Sequence, residues 1–338
     1  MLVVFNSNYI NTMEILHDKD ADVSVLNGKT VAVIGYGAQG RAQALCMRDS
    51  GVHVIIGIRP GKSWDAAVQD GFEVMSVDEA SKVADIIHIL LPDEMHGSVY
   101  ANQIKPGLCA GKTLCCSHGF AYVFKTIVPP ADVDVIMVAP KGPGTEVRRV
   151  FEEGFGCPGL IAVFQNPSGN AKNVALAMAK AEGLTRGGVL ECTMQQETYE
   201  DLFGEQNVLC GGLVDLMKYG FETLIEAGYP AEMAYFECVH EAKLIVDIIY
   251  NKGIQAMNGV ISNTAEFGEY YNGPQILGPE VKEKMKESLK RIESGEFARV
   301  WLEEAAAGAP NLLAKRAALA EHPVEVVGSK IRALFERN

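Results

Sequence analysis

At 338 residues the chain is long enough for two domains with separate cores, which excludes a peptide hormone or a small stapled scaffold. Hydrophobic residues make up 48% and charged residues 22%, the balance of an ordinary globular protein and not of a disordered or membrane-embedded chain. With 30 basic against 43 acidic residues the net charge is −13, a field that repels phosphate backbones and anionic lipid, so neither nucleic acid nor a membrane is expected as a partner.

At the N-terminus there is no basic n-region and the apolar run stops at Phe5, while no later stretch approaches the roughly 18 apolar residues of a membrane span. Eight cysteines (Cys46, Cys109, Cys115, Cys116, Cys157, Cys192, Cys210 and Cys238) form no C-x-x-C pair, and several lie in apolar stretches. They read as buried thiols of a reducing compartment, so a cytoplasmic protein is expected.

From Thr30 to Cys192 short β-branched runs alternate with amphipathic stretches, the pattern of a parallel sheet with crossover helices. Strands are expected over 30–34, 53–58, 85–91, 113–117, 134–139 and 160–164. Ser76-Val77-Asp78-Glu79 has the form of a capping box, which predicts a helix from there to Val83. After Cys192 the β-branched runs thin out, and apolar residues recur at steps of three and four through 195–227 and 231–252. The segments 280–293, 295–307, 311–320 and 323–335 are rich in Ala, Glu, Lys and Leu, broken at Gly295, Gly308-Ala309-Pro310 and His322-Pro323. The expected fold is an α/β Rossmann-like N-terminal domain, 1–193, followed by an all-α C-terminal domain, 194–338.

The first expected strand runs into Gly35-Tyr36-Gly37-Ala38-Gln39-Gly40, then a helical run Arg41–Ser50. Glycines between strand and helix permit the tight turn and let a pyrophosphate reach the helix N-terminus, where free amides and the dipole favour an anion. After the second strand such a domain presents either an acid to a ribose diol or cations to a 2′-phosphate. Here the turn is Arg59-Pro60-Gly61-Lys62-Ser63, with no acid before Asp65. A guanidinium, an ammonium and a hydroxyl suit a phosphate dianion, so NADPH is the expected cofactor.

In the helical half, Asp201 and Glu205 stand four apart in Asp-Leu-Phe-Gly-Glu-Gln, as do Glu237 and Glu241 in Glu-Cys-Val-His-Glu. Each pair leaves one helix face a turn apart, and the surrounding apolar residues suggest burial, where unpaired like charges are costly. Hard divalent cations resolve that cost, and Mg²⁺ is expected. A zinc protease is excluded because His240-Glu241-Ala242-Lys243-Leu244 lacks the second histidine, and a di-iron bundle lacks a second Glu-x-x-His on another suitable helix. His118 and Lys141 each follow a strand end, where ligands gather on open sheets.

These residues, in this order, resemble the ketol-acid reductoisomerase family in its short form with one helical domain. The resemblance runs from about Met13 to near the C-terminus and rests on the glycine turn, Ser117-His118-Gly119-Phe120, Val138-Ala139-Pro140-Lys141-Gly142-Pro143-Gly144-Thr145-Glu146, Asp201-Leu202-Phe203-Gly204-Glu205-Gln206 and Ala234-Tyr235-Phe236-Glu237-Cys238-Val239-His240-Glu241. It implies two Mg²⁺ ions held by Asp201, Glu205, Glu237 and Glu241, with Asp201 bridging, and Ser262 on the substrate. It further implies His118, Lys141 and Glu241 as catalytic groups, and Gly144 among the dinucleotide contacts with Gly35, Tyr36, Gly37, Ala38, Gln39, Gly40, Arg59, Lys62 and Ser63. The implied reaction is alkyl migration in 2-acetolactate, or in 2-aceto-2-hydroxybutyrate, followed by reduction with NADPH, in valine and isoleucine biosynthesis. The two carboxylate pairs would come from different subunits of a homodimer or larger homo-oligomer.

The chain departs from the family in having Ala38 where Ser is usual and Arg41 and Gln43 where His is usual, and residues 1–12 precede the usual start. Two rival readings are a metal-free dehydrogenase of the 3-hydroxy acid type, in which Lys141 would matter and the four carboxylates would not, and a nonenzymatic regulator that senses a dinucleotide.

Overall fold

Residues 12–335 are described by the computed structural model, and they fall into two units, one running to Thr198 and the other starting at Tyr199. The first is built on a sheet of strands β1 (Ile15–Leu16), β2 (Thr30–Ile34), β3 (His53–Gly57), β4 (Glu73–Met75), β5 (Ile86–Ile89), β6 (Thr113–Cys116), β7 (Asp134–Pro140), β8 (Gly159–Gln165) and β9 (Val189–Glu191). Between and after them run helices α1 (Ala38–Asp49), α2 (Lys62–Gln69), α3 (Val77–Val83), α4 (Asp93–Val99), α5 (Phe120–Val123), α6 (Gly144–Glu152), α7 (Ala171–Ala181), α8 (Leu184–Gly187) and α9 (Met194–Gly204).

Strand residues alternate between two buried faces. Val31, Val33, Val54 and Ile56 pack with Ala44 and Met47 of α1 and with α7, while Ala32, Ile34, Ile55 and Ile87 pack with Val77 and Ala80 of α3. Burial on both faces is why these strands read as continuous apolar runs. The strand order is β1-β9-β8-β7-β6-β5-β2-β3-β4. The chain runs outward from β2 to β4 and returns to β5 on the other side of β2, so the crevice beyond the carboxyl ends of β2 and β5 is where a ligand belongs on such a sheet. The expected capping box is present: Ser76 and Glu79 bond reciprocally at the start of α3.

Two expectations are corrected here. The sheet is not wholly parallel, because β8 runs antiparallel to β7 and β1 antiparallel to β9. The β7 to β8 connection includes a helix and is long enough for a crossover, so the reversal leaves no local trace. The cysteines are not all buried either: Cys109, in the loop before β6, and Cys210, at a helix irregularity, are exposed. The N-terminal extension lies almost wholly outside the described residues.

The second unit is helical: α10 (Gly212–Glu226), α11 (Ala231–Tyr235), α12 (Glu241–Lys252), α13 (Ile254–Asn258), α14 (Asn263–Ile276), α15 (Pro279–Glu293), α16 (Glu296–Ala306), α17 (Pro310–Ala320) and α18 (Pro323–Phe335). The last four reproduce the segments marked out by glycine and proline. Two π-helical turns interrupt the regular helix, at Glu205–Leu209 and Phe236–His240. Among the described residues the buried apolar cluster of this unit is small, namely Phe221, Ala234, Tyr235, Val324 and Ile331. Large side chains that could have enlarged it face outward, including Tyr250 at 83% and Phe267 at 68% exposure.

Candidate active site

β2 ends at Ile34, and Gly35 turns the chain with φ of 103°, a left-handed conformation that favours glycine. A Cβ there would lie 2.6 Å from the Leu90 carbonyl oxygen, and one on Gly40 would lie 2.4 Å from the Gly35 oxygen, so both positions serve close packing of turn, helix and strand. Gly37 differs: a Cβ there would meet nothing within 4 Å. It caps α1 with no side-chain bond to the first amides of the helix, as suits a site for an anionic ligand.

A second glycine closes the same site from the other side. A Cβ on Gly144, the first residue of α6, would come within 2.3 Å of the Ala38 oxygen, and Gln39 Nε2 donates to the Gly142 carbonyl at 2.9 Å. The loop carrying Lys141 is thereby held against the start of α1. Tyr36 is buried and donates to Asp70, which also receives the Arg41 guanidinium at 2.6 and 2.9 Å. These bonds to Arg41 hold the Asp70 carboxyl below its usual range. Arg59, Lys62 and Ser63 are all exposed, the last two in the first turn of α2.

Across the sheet, the loops after β6 and β7 converge on a residue that the sequence did not single out. Glu197, in α9, is 1% exposed; one oxygen receives Lys141 Nζ at 3.2 Å, and the other lies 3.2 Å from His118 Nδ1 and accepts the Gly119 amide at 3.3 Å. A Cβ on Gly119 would meet Thr198 Oγ1 at 2.3 Å and Met194 Cγ at 2.5 Å, so only glycine lets the loop approach α9 this closely. A buried carboxylate bonded by an ammonium and an amide, with an imidazole nitrogen 3.2 Å away, is an arrangement that can accept and return a proton. Asp93, the first residue of α4, is a second acid that residue order did not mark, its carboxyl pushed up by burial.

Asp201 follows Glu197 by one turn of the same helix, which places both on one face. Asp201 and Glu205 are half-buried, and Glu205 opens the first π-helical turn. Glu237 lies within the second π-helical turn and Glu241 directly follows it; in the single chain both are exposed, contrary to the expected burial. Among the described residues, no group of three His, Cys, Asp or Glu side chains suited to a metal includes Glu205, Glu237 or Glu241. Their oxygens are nonetheless the hard donors that Mg²⁺ prefers, and the donor set fits that ion. Ser262 caps α14, its hydroxyl accepting the Ala265 amide at 3.1 Å.

Comparison with known proteins adds to this geometry. A family model described as "Acetohydroxy acid isomeroreductase, NADPH-binding domain" matches residues 25–188, and one described as "Ketol-acid reductoisomerase, C-terminal domain" matches residues 194–337. The chain is 85% identical over 326 residues to a "Ketol-acid reductoisomerase (NADP(+))" of Akkermansia muciniphila, with 96% of this chain and 100% of that protein covered. It is 63% identical over 329 residues to a "Ketol-acid reductoisomerase (NAD(+))" of an uncultured archaeon, covering 96% and 99%. A solved structure of an NADH-preferring ketol-acid reductoisomerase from an uncultured archaeon superposes with a TM-score of 0.94 at 62% identity, covering 96% of this chain and 100% of that one.

Proposed function

The chain belongs to the ketol-acid reductoisomerase family, enzymes of branched-chain amino-acid biosynthesis, and from that premise we propose how its own residues serve the reaction. Membership sets aside the nonenzymatic regulator. The substrate is a 2-acetolactate-type acid, rearranged by alkyl migration and then reduced. Mg²⁺, when bound, would supply Lewis acidity, and the nicotinamide would supply the hydride.

The observation that carries this reading is the Glu197 cluster. Lys141 Nζ and Glu197 Oε1, 3.2 Å apart, can pass a proton between fixed atoms, while the Gly119 amide holds the other oxygen and His118 Nδ1 stands 3.2 Å from it. The migration demands a proton lost from one oxygen and gained at its neighbour, and a group that accepts and returns a proton without moving meets that demand. Asp201, Glu205, Glu237 and Glu241 would hold two Mg²⁺ ions, and Ser262 would border the substrate. The glycine turn would take the pyrophosphate at Gly37 and the start of α1.

For the cofactor we favour NADPH: no acid stands at the end of β3, Arg59, Lys62 and Ser63 are exposed around the start of α2, and the Akkermansia relative is named for NADP(+). The archaeal relatives, named for NAD(+) or as preferring NADH, make the ratio of the two cofactors the quantity to measure.

We further propose a homodimer or larger assembly with shared sites. The acidic pair Glu237 and Glu241 is exposed beside Phe236, Met233 and Leu244, themselves 38%, 60% and 48% exposed. Apolar surface on this scale, beside so small a buried cluster, calls for a second copy to cover it. None of the described helices is long and apolar enough to cross a membrane, and we place the enzyme in the cytoplasm. The deciding assay follows NADPH oxidation with 2-acetolactate in Mg²⁺ and again in EDTA. Loss of turnover in EDTA supports the reading, and full turnover would remove the metal from it.

A further inference from the structure

Gln43 has no exposed surface, yet it lies in α1 among apolar neighbours, and every polar atom of its side chain is engaged. The order of its bonds follows from one fixed end. The Gly142 carbonyl can only accept, so Gln39 turns its amide nitrogen there at 2.9 Å and offers its oxygen to Gln43 Nε2 at 3.0 Å. Gln43 Oε1 then faces His88 Nε2 at 2.8 Å and the Ser117 hydroxyl at 3.1 Å, and that hydroxyl also lies 3.1 Å from Gln43 Nε2 and 3.3 Å from His88 Nε2. A carbonyl oxygen accepts only, so His88 carries its proton on Nε2. Its Nδ1, buried and without a hydrogen-bond partner among the described residues, is the bare nitrogen. Burial pushes His88 down to about 3, so the ring stays neutral and the polarity of the relay does not change near neutral pH.

The two arms of this relay end beside the groups that grip Glu197. One reaches Gly142, next to Lys141; the other reaches Ser117, next to His118. Those two side chains hold opposite oxygens of the same carboxylate. We propose that Gln43 is a positioning residue of the reaction, a buried fork that sets the spacing of Lys141 and His118 around Glu197 from within the core. The inference rests on the assignment of Glu197, Lys141 and His118 to proton handling made above.

The test compares Ser117→Ala, which removes one arm, Gln39→Leu, which removes the other, Gln43→Leu, which removes both, and Glu197→Gln as reference. Each single-arm variant should lower kcat about threefold to tenfold. Because the shorter bonds of Ser117 are to Gln43 and its contact with His88 is the longer one, the double variant Ser117→Ala/Gln43→Leu should be little slower than Gln43→Leu alone. For Ser117→Ala the KM for NADPH should stay within about twofold, since that arm does not touch the glycine turn. Independently of turnover, hydrogen exchange in Gln43→Leu should quicken in the loops 115–120 and 139–145, beyond any global change. Should Gln43→Leu fail to fold, Gln43→Glu keeps its shape and the acceptor for His88 but loses the donor to Gln39, and wild-type kcat and exchange in it overturn the fork. Full turnover in Ser117→Ala and Gln43→Leu with an inactive Glu197→Gln also overturns the fork, whereas full turnover in Glu197→Gln overturns the site assignment instead.

Discussion

Lys141 Nζ meets Glu197 Oε1 at 3.2 Å, and the carboxylate it meets is almost wholly removed from solvent. A buried carboxylate is tolerated where donors satisfy it, and here the Gly119 amide and the Lys141 ammonium do so, with His118 Nδ1 3.2 Å away. Glu197→Gln keeps the shape and an acceptor for Lys141 but cannot hold the proton. We predict a fall in kcat of about 10²–10⁴, with NADPH binding, followed by its fluorescence, unchanged. Wild-type turnover in this variant would remove the cluster from the chemistry.

Arg59 is exposed at the end of β3, so its replacement should leave the fold intact. Arg59→Ala should raise the KM for NADPH about tenfold or more while leaving that for NADH within about twofold, because only the former carries a 2′-phosphate to pair with the guanidinium. Steady-state kinetics with both cofactors measures the ratio, and equal effects on the two would mean Arg59 does not read the phosphate.

Shared sites can be tested by mixing. Neither Asp201→Asn nor Glu237→Gln alone should turn over, but after subunit exchange the mixture should regain about a quarter of wild-type activity, since some pairings place both defects in one site and leave the other whole. Failure to complement after exchange is confirmed by mass spectrometry would mean each site is built from one chain.

Glu182, just past the end of α7, is a buried acid outside the candidate site, and neither of its oxygens has a hydrogen-bond partner among the described residues. Burial pushes its carboxyl well above the ordinary range. Its folded pKa therefore lies above the unfolded one of about 4.3; its contribution is fully present below that pH and is lost as pH rises toward the folded value, because unfolding then releases a proton. Glu182→Gln should consequently gain more stability at pH 8 than at pH 5, by a difference in Tm of about 2–6 °C. Calorimetry at the two pH values decides; an equal difference at both would mean the acid is ionised in the folded state.

Much of this architecture was legible in residue order. Six strands announced themselves through β-branched runs, and the C-terminal helices through Gly295, Pro310 and Pro323, because apolar periodicity and backbone breakers are local properties. The strands Glu73–Met75, Val189–Glu191 and Ile15–Leu16 escaped because two or three residues cannot display a period. Glu197 escaped for a different reason. It sits in the polar run Gln195-Gln196-Glu197-Thr198, which reads as a solvated helix face, and its partners come from loops far away in sequence. A signal did exist in its spacing, one helical turn ahead of Asp201.

Glu205 opens one π-helical turn, and Glu237 and Glu241 lie within and directly after the other. A π turn holds one residue more than regular helix geometry accommodates, and such turns gather at functional positions. Excising a single residue from either turn would let the backbone relax into an ordinary α-helix with the downstream stripe kept close to its register, while the acids in and beside the turn would be re-aimed. The packing stripe downstream and the direction of the acids are thus indexed to each other by a deliberate miscount. A deletion that looks harmless, even favourable, to the backbone would dismantle the alignment between them.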